Sequence, residues 1–434
     1  MNQYGSQTSE DRQEQFEKCF LVYLRHENET EFEVQELGHE LRELVGTLDI
    51  EVVGEVTVNL LAPRPRFLLG SGKTAEIIGL AREAGAQAIV LDDPLSPSQQ
   101  RNWEKEAEMP VVDREEIILD IFSKRASTKE AELQIELARA EYDLPRLKRR
   151  WTHLSRQRGG TSGSVGLRGS GEQQIEVDYR LINDRISKLK NQLAEVRKKR
   201  QVQRKRRKKE AVPTAALVGY TNAGKSSLLN ALSEAHVFTE DKLFATLDST
   251  VRRVQLPNEH EMLLSDTVGF IRKLPHNLVE AFKATLEEAA YADFIIEIMD
   301  VTNPEVQKHH ETTDDVLQEL GAADKKRLIV FNKTDLVENN YVMPRLRRRF
   351  GDPVFISAAT GSGIPDLKNA LVKELEQEMY DLELLIPHER YELVAMVHRT
   401  SHVIKEESDA EGIWLHASVP EKTANLVSDY KISL

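Results

Sequence analysis

Residues Gly219-Tyr220-Thr221-Asn222-Ala223-Gly224-Lys225-Ser226 form a complete G-x-x-x-x-G-K-S loop, and its flanks constrain the fold around it. The apolar run Ala215–Val218 predicts a buried strand entering the loop, and Ser227–Leu232 predicts a helix leaving it. A strand, a glycine turn and a helix in that order make a phosphate cradle within an α/β sheet. Backbone N–H groups close around the β- and γ-phosphates, the helix N-terminus adds a positive dipole end, Lys225 supplies a point charge, and Ser226 offers a hydroxyl to Mg²⁺. The bland alternative is a glycine-rich turn without a ligand.

Three further segments follow in the order of a guanine-nucleotide switch. Asp266-Thr267-Val268-Gly269 closes the apolar run Met262–Leu264, which sets Asp266 at a strand end near the metal shell and lets the Gly269 N–H meet the γ-phosphate. Asn332-Lys333-Thr334-Asp335 follows the strand-like Arg327–Phe331, and the Asp335 carboxylate can accept two hydrogen bonds from guanine where adenine offers neither donor. Asn332 joins it in reading the base. After Val354–Ile356, Ser357-Ala358-Ala359 supplies backbone N–H to the guanine oxygen. Between loop and sensor, Phe244-Ala245-Thr246-Leu247-Asp248 carries the switch threonine, for which Thr246 is chosen and Thr250 is the alternative. The chemistry then falls to Lys225, Thr246 and Gly269, with Ser226 and Thr246 as the Mg²⁺ ligands.

At 434 residues, with 40% hydrophobic and 30% charged residues, the chain has room for two to four domains. Cys19 is its only cysteine, which excludes a disulfide framework and suits a reducing cytoplasm. No apolar run reaches membrane-span length, and the polar stretch Met1–Gln15 reads as a disordered tail. The net charge of −13 argues against nucleic acid, whereas the basic block Arg197–Lys209 offers either a solvated linker or an RNA phosphate contact.

Two heptad seams precede that block. Leu133, Leu137, Ala140, Leu144, Leu147, Trp151 and Leu154 form one, and Ile175, Tyr179, Ile182, Ile186, Leu189, Leu193 and Val196 the other. Between them, Gly159–Gly171 is too glycine-rich for regular structure, so the pattern predicts an antiparallel coiled-coil hairpin with arms of about 45 Å and a flexible tip. Pro145 should kink or break the first arm. The hairpin is either a spacer or a probe, its basic flanks from Arg146 to Arg168 suiting a phosphate-lined cavity.

The loop Gly219–Ser226, the segment Phe244–Asp248 and Asp266-Thr267-Val268-Gly269-Phe270-Ile271-Arg272-Lys273-Leu274-Pro275 resemble those of HflX, the ribosome-associated GTPase family. So do Leu69–Lys73, Leu95–Asn102 and Val165–Glu172, and the likeness covers nearly the whole chain. The resemblance implies GTP hydrolysis, a cytoplasmic and ribosome-associated location, and binding to the large ribosomal subunit and its rRNA. It also implies splitting or rescue of stalled ribosomes, with the hairpin tip approaching the peptidyl-transferase region. A monomer is expected.

Where Ras-like switches carry a water-orienting glutamine, this chain has Phe270, so intrinsic hydrolysis should be slow and a partner should order the switch. Asn222 is similar to the asparagine of G proteins that recruit K⁺ beside the β- and γ-phosphates; capping of the loop is the other reading.

Upstream, strands at Cys19–Leu24, Ile50–Leu60 and Ala88–Leu91 with helices at Glu31–Val45 and Thr74–Ala84 predict a small α/β domain. Its Gly70-Ser71-Gly72-Lys73-Thr74 copies only the end of a phosphate loop, because position 67 holds Phe67. Downstream, a helix from Ile364 to about Met379 closes the GTPase domain. Strands at Leu382–Ile386 and Ile413–Val419 with helices at Glu389–Ile404 and Glu421–Tyr430 then form an appended α+β domain, whose His398 and His402 would share a helix face. The organisation read is a tail (1–15), an α/β domain (16–125), a helical hairpin with basic linker (126–210), a P-loop GTPase domain (211–380) and a C-terminal α+β domain (381–434). Two rival functions are an RNA-remodelling ATPase driven by the N-terminal domain and a GTP-gated protein adaptor.

Overall fold

The computed structural model describes residues 16–157, 168–209, 212–233, 243–244, 247, 250–258, 260–273, 288–339, 341–376 and 379–432. The tail Met1–Gln15, tip residues 158–167, and Ala245, Thr246 and Asp248 lie outside them. The chain divides into two compact units, one of described residues up to Ala194 and one from Glu195 onward.

The first unit opens with β1 (Lys18–Arg25), α1 (Glu31–Thr47), β2 (Glu51–Asn59), α2 (Ser71–Glu83), β3 (Ala88–Leu91), α3 (Pro97–Ala107), β4 (Val111–Asp113) and α4 (Arg114–Arg125). The sheet is parallel in the order β2-β1-β3-β4. Sequence reading missed α3, β4 and α4, although their starts carry recognisable caps. Ser96 and Gln99 close a capping box, and the Asp113 carboxylate accepts the Glu116 N–H at 3.0 Å. Phe20, Val22, Ile77, Ile89, Leu91 and Trp103 fill one core face.

Two long helices follow, α5 (Lys129–Gln157) and α6 (Arg168–Lys209). Helix α5 runs continuously through Pro145, so the expected break is absent, and α6 begins at Arg168, taking into helix the Gly169–Gly171 stretch that the sequence assigns to the tip. Arg185 and Lys190 of α6 pair with Glu136 and Glu141 of α5. Leu133, Ile186, Leu189 and Leu193 of the predicted seams are buried. A second face of α5, through Ala131, Ile135, Ala138 and Tyr142, is buried as well, packing against α3 and α4. The helix therefore serves two interfaces where the heptad pattern showed one.

The second unit contains β5 (Thr214–Val218), α7 (Lys225–Ser233), β6 (Val251–Gln255), β7 (Glu261–Asp266), β8 (Phe294–Asp300), α8 (Val306–Glu319), β9 (Arg327–Asn332), α9 (Val342–Phe350), β10 (Val354–Phe355) and α10 (Ile364–Glu376). Strand order is β10-β9-β8-β5-β7-β6, parallel except for the edge strand β6. Leu217, Leu264, Ile296 and Ile298 form the middle of a core closed by Leu228 and Leu229 of α7 and Leu367 and Leu371 of α10. The carboxyl ends of β5, β7, β8 and β9 thus open on one crevice, the usual ligand position in such sheets.

The C-terminal part comprises β11 (Met379–Ile386), α11 (Tyr391–Thr400), β12 (His402–Ser408), β13 (Ile413–Pro420) and α12 (Glu421–Leu426). Its antiparallel sheet runs β11-β13-β12. The helix expected over Glu389–Ile404 stops at Thr400, and His402 starts a strand, so the His398/His402 pair does not share a helix face. His398 instead meets Glu406 at 2.7 Å.

Candidate nucleotide-binding site

Strand β5 delivers the Gly219–Ser226 loop, and α7 starts at Lys225, as a phosphate cradle requires. The Lys225 ammonium is buried and donates to the carbonyls of Gly219 at 3.1 Å and Tyr220 at 2.9 Å. Burial pushes its pKa down to about 8, against the pull of the Asp266 carboxylate. Ser226 donates its hydroxyl to Asp266 Oδ2 at 2.6 Å. A hydroxyl beside a carboxylate is a hard-oxygen pair that fits Mg²⁺, with Ser226 as direct ligand and Asp266 one shell out.

Asn222 holds the left-handed φ of 59°. Its side chain forms no hydrogen bond with another described residue, so it does not cap the loop. Thr221 and Ala223 are buried. The Thr221 hydroxyl accepts the Phe244 N–H at 3.1 Å, which fixes the start of the switch segment, and Leu247 is buried beyond it. Thr250 is described, and its carbonyl accepts the Asp266 N–H at 2.9 Å.

Asp266 ends β7, and the next residues turn inward. The Thr267 hydroxyl donates to Leu217 O at 2.7 Å, and Val268 is buried. Gly269 lies directly on the phosphate loop: a Cβ there would stand 2.7 Å from Thr221 Cα and 3.0 Å from Lys225 Nζ. Phe270 is buried and bridges Tyr220, its carbonyl accepting the Thr221 N–H at 2.7 Å and its N–H donating to Gly219 O at 3.1 Å. A clamp that the sequence did not reveal reinforces this bridge. Tyr220 stacks on His309 with centroids 3.6 Å apart, and its hydroxyl accepts the Arg272 N–H at 2.8 Å. Arg272 in turn pairs with the buried Glu305 at 2.5 Å. Burial, with the Arg272 cation nearby, lowers the His309 pKa to about 4, so the stacked ring is neutral at neutral pH.

The base-reading segments meet at Asn332. Its amide donates to Ala223 O and accepts from the Ala358 N–H, both at 2.9 Å. Asn332 thus braces the phosphate loop against the Ser357–Ala359 loop. A Cβ on Gly224, whose φ is +90°, would fall 2.1 Å from the Asn332 amide nitrogen. Lys333 pairs with Asp300 at 2.8 Å, and Thr334 opens a short turn that leaves Asp335 exposed. Among the described residues no hydrogen bond engages the Asp335 carboxylate. The Ser357 N–H donates to Ser362 O and the Ala358 N–H to Asn332, so the Ala359 N–H is the amide of this trio left for a ligand oxygen.

Comparison with known proteins identifies the family. The family model described as GTP-binding GTPase N-terminal matches residues 35–123, the GTP-binding GTPase middle region matches 125–207, and the 50S ribosome-binding GTPase matches 214–333. A GTPase HflX of Akkermansia muciniphila is 46% identical over 428 residues, covering 97% of this chain and 98% of that protein. A GTPase HflX of Escherichia coli is 40% identical over 405 residues, 93% of each. A crystal structure of a GTP-binding protein from Sulfolobus solfataricus in complex with GDP aligns with a TM-score of 0.43 and 24% identity over 82% of this chain and 98% of that one. With full-length likeness to the two HflX proteins, and with loop, sensor and base-reading segments gathered at the carboxyl ends of the central strands, the chain belongs to the HflX family of GTPases and hydrolyses GTP.

Proposed function

We propose that this GTPase binds the large ribosomal subunit in its GTP state and splits or rescues stalled ribosomes, the ribosome stimulating hydrolysis. The observation that carries the reading is the closure at Gly269. A γ-phosphate has to fit between the Lys225 ammonium and the Gly269 N–H, and Gly269 is packed against both Thr221 and Lys225. Admitting GTP therefore moves the Gly269–Phe270 segment outward and breaks the Tyr220–Phe270 bridge, which turns nucleotide occupancy into a change of surface.

Phe270 supports the need for a partner, because a buried phenyl ring cannot orient water. Lys225 and the loop amides would hold the phosphates, while Asp335 and the Ala359 N–H would read guanine. Mg²⁺, held by Ser226 with Thr246 completing its shell and Asp266 outside it, would neutralise developing phosphate charge. The uncapped Asn222 leaves its amide oxygen for K⁺ beside the phosphates. The name of the family model over residues 214–333, a 50S ribosome-binding GTPase, supports the partner.

The test is GTP turnover by the purified protein, alone and with large subunits, in K⁺ and then Na⁺ buffer across a salt titration. Salt-sensitive stimulation of at least tenfold is expected, lower in Na⁺. Slow turnover unaffected by subunits would refute the ribosome as activator.

A further inference from the structure

Helix α9 carries a charged face that the nucleotide site does not use. Tyr341, Arg345, Arg348 and Arg349 recur at spacings of four, three and one, so they share one side of the helix over about 12 Å. The three arginines are exposed, and Tyr341 is 83% exposed. Arg347 lies off this stripe, its guanidinium 5.3 Å from the Phe355 ring centroid. Among the described residues none of these arginines is in an ion pair, although Glu338 and Asp352 border the helix. On the opposite side Leu346 is buried with Phe331, Met299 and Val301, so the face is held on a rigid support.

We propose that this face of α9 is a contact surface for the phosphate backbone of RNA; resting on the reading above, the RNA is the rRNA of the large subunit. In a chain with a net charge of −13, three adjacent guanidinium groups without carboxylate partners repel one another until an external anion neutralises them. Guanidinium forks fit phosphate oxygens two at a time, and an exposed tyrosine at the end of the stripe supplies a plane for an unpaired base. The location also has meaning for the switch. Helix α9 connects the turn after Asn332-Lys333-Thr334-Asp335 to β10, which leads into Ser357-Ala358-Ala359, so RNA bound here adjoins both base-reading loops.

The experiment measures affinity as a function of KCl concentration for the full chain with a non-hydrolysable GTP analogue, on purified large subunits and on their protein-free rRNA. The wild type is compared with a triple variant, Arg345→Ala with Arg348→Ala and Arg349→Ala, and with the corresponding triple replacement by Lys. The alanine variant is expected to bind both probes at least about tenfold more weakly, with the log–log salt slope reduced by roughly 2–3, and lysine is expected to restore most of the slope. GTP affinity and melting temperature should stay unchanged, because no substituted side chain touches the nucleotide site or the core. An unchanged slope for the alanine variant would overturn the assignment and leave ribosome binding intact. Weaker binding to subunits but not to bare rRNA would overturn it in favour of an acidic ribosomal protein. If the wild type bound no subunits, both this surface and the ribosome reading would fall.

Discussion

Asn332 and Asp335 sit three residues apart and should fail in opposite ways. Asp335 offers an exposed, unengaged carboxylate, so Asp335→Asn should leave two N–H donors unmatched, the guanine 2-amine and the introduced amide that faces it, at about 2–6 kcal/mol, a loss of roughly thirtyfold or more in GTP affinity, with xanthine nucleotides favoured in its place. Asn332 spends both ends of its amide on Ala223 and Ala358. Asn332→Ala should therefore weaken every nucleotide alike, by about 1–3 kcal/mol, without altering base preference. Competition titrations with GTP, ATP and XTP separate the two, and a base-specific defect in Asn332→Ala would refute the bracing role. Lys225 adds a pH signature. Its folded pKa of about 8 lies below the unfolded value, so above that pH the free protein holds a neutral amine that must take up a proton to meet phosphate. Nucleotide affinity should be flat up to about pH 8 and then fall by as much as tenfold per unit; proton uptake on calorimetric titration checks it, and a constant affinity to pH 9.5 would contradict it.

Elements show where sequence reasoning succeeds and why it stops. The strand, loop and helix around Gly219–Ser226 are legible because the loop fixes their register and because β5 is apolar throughout. Strand β12 is not, since a bulge between Val403 and Lys405 interrupts its alternation and the run before it is helical. The Tyr220, His309, Arg272 and Glu305 clamp has no spacing signal at all, as its members come from three separated segments. The second face of α5 is likewise hidden behind a heptad seam that explains only the first. That face carries its own consequence. Asp113 is wholly buried beneath it, accepting from the Tyr142 hydroxyl at 3.1 Å and pairing with Arg146 at 3.3 Å. Burial outweighs the Leu95 N–H and Arg146 and pushes its pKa up to about 6. The folded state keeps a proton between pH 4 and 6 that the unfolded chain releases, so stability is greatest below about pH 4 for this group. It should fall as pH rises to 6, by roughly 3 kcal/mol. Denaturant titrations from pH 4 to 7 should show that decline, and Asp113→Asn should flatten it; an unaltered profile in the variant would assign the effect elsewhere.

For the molecule as a whole, burial of Ala131, Ile135, Ala138 and Tyr142 ties the hairpin to the first α/β core. A fragment ending at Arg125 lacks those side chains and should melt lower, by about 10 °C or more, than a fragment ending at Lys209, as followed by circular dichroism. Equal melting would mean that the α/β domain is complete without α5. The root of α5 also restricts how such an arm can change length. With Tyr142 and Arg146 fastened below, one residue inserted farther along advances the end of the helix by about 1.5 Å but swings it by about 100°. Seven inserted residues bring it back nearly in phase, so variation in reach should arrive in quanta of two helical turns, like teeth on a ratchet.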